Sequence, residues 1–151
     1  MTAYTAEIET QASRFGLDPR LVTAVVITES SGLTHAYRYE PGFWTRYMAG
    51  KPEWDGANPA RVSASYGLMQ VMFPVALEFG YPKTDPPEYL FVPLIGLEYG
   101  CRVLRERLDW ATGDTRAALA AYNGGKGGNR PGGLLRNAGY ADKVLSRMSK
   151  L

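Results

Sequence analysis

Val25-Val26-Ile27-Thr28-Glu29-Ser30-Ser31-Gly32 sets a carboxylate at the end of a run that otherwise reads as buried helix. Upstream, Asp18-Pro19 has the form of an N-cap followed by proline at the first helical position, and Leu21, Val22, Ala24, Val25 and Ile27 supply a wide apolar face. Gly32 is the expected helix stop. Glu29 then falls in the last turn, where a negative charge faces the wrong end of the helix dipole and where its neighbours predict low exposure to solvent. Both effects favour the protonated form. A carboxylic acid that keeps its proton near neutral pH is what general acid catalysis requires, so Glu29 is the leading catalytic candidate. The other reading of the same residue is a side chain that swings out to water beyond the helix end.

Composition narrows what such an acid serves. A chain of 151 residues fits one domain with a real hydrophobic core, and 45% hydrophobic with 21% charged residues is ordinary for a globular protein. A net charge of +2, with seventeen Lys and Arg scattered along the chain, is too small to argue for nucleic acid as a partner. Cys101 is the sole cysteine and His35 the sole histidine, which excludes an internal disulfide and the usual zinc ligand sets, so no metal and no cofactor is expected. Met1 to Phe15 carries Glu7, Glu9 and Arg14 without the apolar core of a signal peptide, and no run reaches membrane-spanning length. No stable membrane insertion is expected.

The rest of the chain reads as helices joined by glycine and proline. Ile8, Ala12 and Phe15 give a first helix over Tyr4 to Phe15, paired with the Glu29 helix. Residues 33–65 form a loop-rich excursion with Tyr37, Tyr39, Phe43, Trp44, Tyr47 and Trp54, holding one short helix near Gly42 to Ala49. These aromatics read either as a cleft wall that stacks on sugar-like rings or as a small satellite core. Pro74 opens a helix through Phe79; Leu94 to Ala111 is the longest helix and the central scaffold, with Leu97, Cys101, Leu104 and Leu108 on one stripe. Thr115 to Tyr122 is an alanine-rich helix capped by Asp114, Gly124 to Gly133 a mobile glycine loop, Leu134 to Ala138 a helical turn, and Tyr140 to Met148 a last helix. No alternating strand run of useful length and no internal repeat is present, so the fold class is mainly α, with at most a short β-hairpin. Gln70, a lone amide among apolar neighbours, either caps local backbone or reaches into a pocket.

Four ordered pieces, Glu29-Ser30-Ser31, Gly67-Leu68-Met69-Gln70-Val71, Ala121-Tyr122-Asn123-Gly124 and Tyr140 leading the last helix, resemble the soluble lytic transglycosylase domain, a lysozyme-like family whose fold is similar to goose-type lysozyme. The resemblance runs from Tyr4 to Met148 and implies a single α+β, mainly helical domain over 1–151 that cleaves peptidoglycan. It implies Glu29 as the sole catalytic acid/base, Met69, Gln70, Tyr122 and Asn123 along the sugar cleft, and Tyr140 approaching the acid and counted with the substrate contacts. A serine before the second motif, Ser63 or Ser65, holds the acetamido group in that family; Ser30 and Tyr66, beside the motif residues, join the expected substrate contacts. The excursion His35 to Ala64 departs from the family's usual short spacing, and Tyr37-Arg38-Tyr39-Glu40-Pro41 resembles phage-encoded members. A phage endolysin or virion enzyme, made in the host cytoplasm as a monomer and acting on the cell wall, is the corresponding expectation.

The rival on the same fold is a muramidase in which a second carboxylate, Glu40, Glu53, Asp55 or Asp85, activates water. An inert glycan-binding module would use the aromatic excursion alone. A structural protein would leave Gln70 and the Tyr122-Asn123-Gly124 turn without a reason.

Overall fold

The Asp18 side chain accepts a hydrogen bond from the backbone N–H of Arg20 at 2.9 Å, and Pro19 starts the helix that ends beneath Glu29, as the capping pattern predicts. The structure is a computed structural model that describes residues 3–151; Met1 and Thr2 of the 1–151 span lie outside the described residues. Its elements are α1 (Thr5–Arg14), α2 (Pro19–Ser30), β1 (Tyr37–Tyr39), α3 (Pro41–Phe43), α4 (Pro59–Val62), β2 (Ala64–Tyr66), β3 (Val71–Met72), α5 (Phe73–Glu78), α6 (Pro93–Trp110), α7 (Thr115–Gly124) and α8 (Ala138–Met148).

Helix α6 is the scaffold that the apolar stripe predicts: Leu97, Cys101 and Leu104 are fully buried. Burial pushes the Cys101 thiol up to about 12, in keeping with a side chain that fills the core. Helices α1 and α7 pack on α6, while α8 lies against both α7 and α2. Ala117, Ala118, Ala120 and Ala121 of α7 are all buried, and these small side chains let the helix sit close between its two neighbours. Val22, Val25 and Val26 of α2 meet Ala141 and Val144 of α8 in the same core.

Three local differences from the sequence expectation have physical causes. The Glu29 helix stops one residue early, because Ser31 itself adopts the left-handed conformation (φ 53°) and returns its N–H to Ile27 O. The expected helix over Gly42 to Ala49 is α3 followed by a wider π-helical turn, Trp44–Met48, closed by Ala49 N–H bonding to Trp44 O at 2.8 Å. The small sheet has three antiparallel strands in the order β1-β2-β3, one more than a single hairpin. Strands this short carry too few alternating residues to be read from periodicity.

The glycine loop after α7 is not free either. Asn129 is fully buried there and pairs with Leu135 as an isolated bridge, and the turn expected over Leu134 to Ala138 is a single one, closed by Ala138 N–H bonding to Leu135 O at 3.2 Å, that runs into the start of α8.

Candidate active site

Glu29 sits in the last turn of α2, half-buried, with its carboxylate on a cavity of about 360 Å³. The first turn of α8 brings Tyr140 to it: the phenol donates to Glu29 Oε2 at 2.8 Å. Burial is the dominant influence and pushes the Glu29 carboxyl up from 4.5 to about 7; the Tyr140 bond and the charge of Arg38 oppose that rise, and the charge of Glu40 adds to it. Burial, with Glu29 close by, also raises the Tyr140 and Tyr122 phenols, so both remain donors. The solvated alternative for Glu29 is therefore not what the fold builds.

The opposite wall comes from the sheet. Arg38 pairs with Ser65, and Ser65 with Met72, so these three residues form one row across β1, β2 and β3, and all three line the cavity. Just past β1, Glu40 lines it too and is held by Arg38, whose Nε lies 3.2 Å from Glu40 Oε1. Of the excursion's aromatics only Phe43 and Tyr47 reach the cavity, their rings tilted with centroids 4.7 Å apart. Tyr37 instead packs edge-on against Tyr66, and Trp54 edge-on against Phe73.

The residues expected to bind substrate divide into two groups. Ser65, Gln70, Tyr122 and Asn123 all line the cavity. Gln70 does both things its sequence position allowed: its amide nitrogen donates to Ala36 O at 3.0 Å and Gly67 O at 3.2 Å, while the residue faces the cleft. Tyr122 donates to Met69 O at 2.7 Å, leaving Tyr140 as the phenol on Glu29.

Five others, Ser30, Ser63, Tyr66, Met69 and Tyr140, do not line the cavity, and each has a structural task, that of Tyr140 being its bond to Glu29. Ser30 bonds Val26 O at 3.0 Å and Leu68 O at 2.8 Å, fastening the end of α2 to the second motif. Ser63 donates to Glu40 O at 2.8 Å, so of the two serines Ser65 is the one that lines the cavity. Tyr66 follows Ser65 on β2 and so points to the other face, where its phenol bonds Arg61 O and its ring meets Phe91. Met69 is fully buried against Gly100 of α6, where an added Cβ would come within 2.3 Å of the Met69 sulfur. Between β2 and β3, Gly67 has φ +80°, and a Cβ there would lie 2.4 Å from Leu90 O.

Among the four acidic candidates for a second carboxylate, Glu40 alone lines the cavity; Glu53, Asp55 and Asp85 do not. Sequence reasoning did not single out Arg38, Met72 or Arg107 as cavity residues. Arg38 and Met72 follow from strand register, which no local pattern announced. Arg107 reaches the cavity from α6, one residue after the Glu106 with which it forms an ion pair.

The helical core beside a small antiparallel sheet is a mainly α, lysozyme-like fold, and the half-buried Glu29 carboxyl is held by the Tyr140 phenol within it. The chain belongs to the transglycosylase SLT domain family, which it matches over residues 7–139. It is also similar in fold to the X-ray structure of the lytic transglycosylase Slt from Pseudomonas aeruginosa, determined as an inactive glutamate-to-glutamine mutant: the TM-score is 0.71 at 23% sequence identity. That match covers 97% of this chain and 23% of the Pseudomonas chain, so the present chain spans about a quarter of its neighbour's length.

Proposed function

We propose that the protein is a peptidoglycan lytic transglycosylase that cleaves the β-1,4 bond between N-acetylmuramic acid and N-acetylglucosamine, with Glu29 as its single general acid/base. The observation that carries this reading is the Glu29 carboxyl, raised to about 7 by burial and held by Tyr140 on a cavity of about 360 Å³. Membership of the transglycosylase SLT domain family supports it. Protonated Glu29 donates to the bridging oxygen as the bond from C1 breaks and oxocarbenium character develops. The substrate's own acetamide assists at C1, so no enzymic nucleophile is needed. Ionised Glu29 then takes the proton of the muramyl 6-hydroxyl as that oxygen bonds to C1. This closes a 1,6-anhydro ring, restores the acid and consumes no water.

One observation favours a second reading, hydrolysis: Glu40 is a second carboxylate on the cavity wall. Its ion pair with Arg38 argues for an electrostatic role instead. Digestion of purified peptidoglycan, with the muramyl ends identified by mass spectrometry before and after borohydride reduction, tests the two. Ends that resist reduction are expected; reducing ends would make the protein a muramidase with Glu40 as the base. We further propose action on the cell wall as a phage-encoded monomer. Among the described residues no helix is long and apolar enough to cross a membrane.

A further inference from the structure

At the α7 end of the cleft three asparagine side chains form a chain of hydrogen bonds whose direction is set by backbone groups. Asn129 Oδ1 accepts the backbone N–H of Asn137 at 2.9 Å, and Asn129 Nδ2 donates to Gly125 O at 2.9 Å. A main-chain N–H only donates and a main-chain carbonyl only accepts, so the Asn129 amide has one possible orientation. Its second N–H therefore donates to Asn137 Oδ1, also at 2.9 Å, and that leaves Asn137 Nδ2 to donate to Asn123 Oδ1 at 2.9 Å. The chain ends with the oxygen of Asn123 occupied and its NH2 group without a protein partner among the described residues, on an exposed side chain that lines the cavity.

The surroundings hold this order in place. Asn129 is fully buried, so reversing it would leave amide groups unpaired away from water. Gly124 makes room for Asn137, since a Cβ at that position would lie 2.1 Å from Asn137 Oδ1. Arg136 donates to Gly124 O at 3.1 Å and clamps the same turn.

We propose that Asn129 and Asn137 are positioning residues that orient Asn123 as a hydrogen-bond donor in the cleft, so that this point of the site takes an acceptor oxygen of an N-acetylhexosamine chain. The ligand class rests on the function proposed above; the direction of the amide chain does not. Asn137→Asp separates orientation from stability. The new carboxylate still accepts from Asn129 but can no longer donate to Asn123, which must rotate, give its NH2 to the carboxylate and turn its oxygen to the cleft. Asn137→Ala removes the constraint without imposing the wrong orientation, yet leaves one N–H of the buried Asn129 amide unpaired, its bonds to Gly125 O and the backbone N–H of residue 137 remaining.

The test measures affinity for chitotetraose by calorimetry beside thermal stability for both variants. Expected is that Asn137→Asp has the higher Tm of the two but the weaker binding, roughly tenfold below wild type, with Asn137→Ala weakened by less. Affinities that rank as the Tm values rank, or wild-type affinity in Asn137→Asp, would overturn the proposal. Nitrogen-15 spectra of the wild-type protein give a measurement that needs no variant. The Asn129 and Asn137 side-chain NH2 protons should exchange slowly, and the Asn123 NH2 should exchange fast and shift with chitotetraose; protection of Asn123 in its place would refute the assigned direction. A wild-type protein that binds chitotetraose but leaves peptidoglycan intact would defeat the proposed function and spare this inference. Failure of the wild type to bind chitotetraose would defeat the ligand class assigned here, whatever the cleavage result.

Discussion

Tyr140 and Glu29, 111 residues apart in the chain, are joined by a 2.8 Å hydrogen bond from phenol to carboxylate. The bond favours the ionised carboxylate while burial favours the acid, and burial prevails, leaving Glu29 at about 7. An acid/base that must give a proton and take one back in a single turnover works best near that balance.

Glu29→Gln should abolish cleavage of purified peptidoglycan while retaining the wild-type circular dichroism. It should also change how stability depends on pH. Because the folded carboxyl sits at about 7 against 4.5 in the ordinary state, the unfolded chain loses this proton first as pH rises. The stability that the group supplies is complete below about 4.5 and lost by about 7, a swing of up to about 3 kcal/mol. The glutamine variant lacks the swing. Its Tm relative to wild type should therefore rise by roughly 5 to 10 °C between about pH 4 and about pH 8, read by thermal scans across that range.

Tyr140→Phe removes the bond that lowers the Glu29 value, so the carboxyl moves further up and the alkaline limb of the rate profile moves to higher pH. A kcat loss of about tenfold, with a stability cost of about 1 kcal/mol, is expected. An unmoved alkaline limb in the pH–rate profile would show that the phenol does not set the acid's proton affinity.

The Arg38–Glu40 pair acts on Glu29 with opposite signs, and its two halves should be separable by mutation. Arg38→Ala should shift the alkaline limb up and Glu40→Gln should shift it down, both shifts shrinking at about 1 M salt. Mass spectrometry of the Glu40→Gln digest should still find anhydro ends. Loss of all cleavage in that variant, with its fold intact, would establish Glu40 as a reacting group.

Two serines offer a contrast. Ser30→Ala breaks buried bonds to Val26 and Leu68 and should lower stability by about 1 to 2 kcal/mol, with KM near wild type. Ser65→Ala, on the cavity row of the sheet, should raise KM several-fold with little change in Tm. Denaturation and steady-state turbidity assays on the two variants distinguish them.

Gly67→Ala should destabilise by about 2 to 3 kcal/mol, because the position combines φ +80° with a Leu90 carbonyl 2.4 Å from any Cβ. Equilibrium denaturation reads this directly.

Local chemistry was enough to read the longer helices, the Asp18 and Asp114 caps and the catalytic candidate. Asp18-Pro19, the apolar run to Ile27, the stripe through Leu97, Cys101 and Leu104, and the small residues of α7 each carry a signal within one or two turns of chain. The low exposure of Glu29 followed from its neighbours on the same helix. Tertiary structure alone decided which residues share the cleft with it. Cross-strand register put Arg38, Ser65 and Met72 in one row and turned Tyr66 away, and strands of two or three residues leave no periodicity from which to read that register. The same holds for the amide chain from Asn129 through Asn137 to Asn123. Its members lie on a glycine loop and two helix ends, where no repeating pattern exists, and only the packing of α7 against α8 brings them within bonding distance.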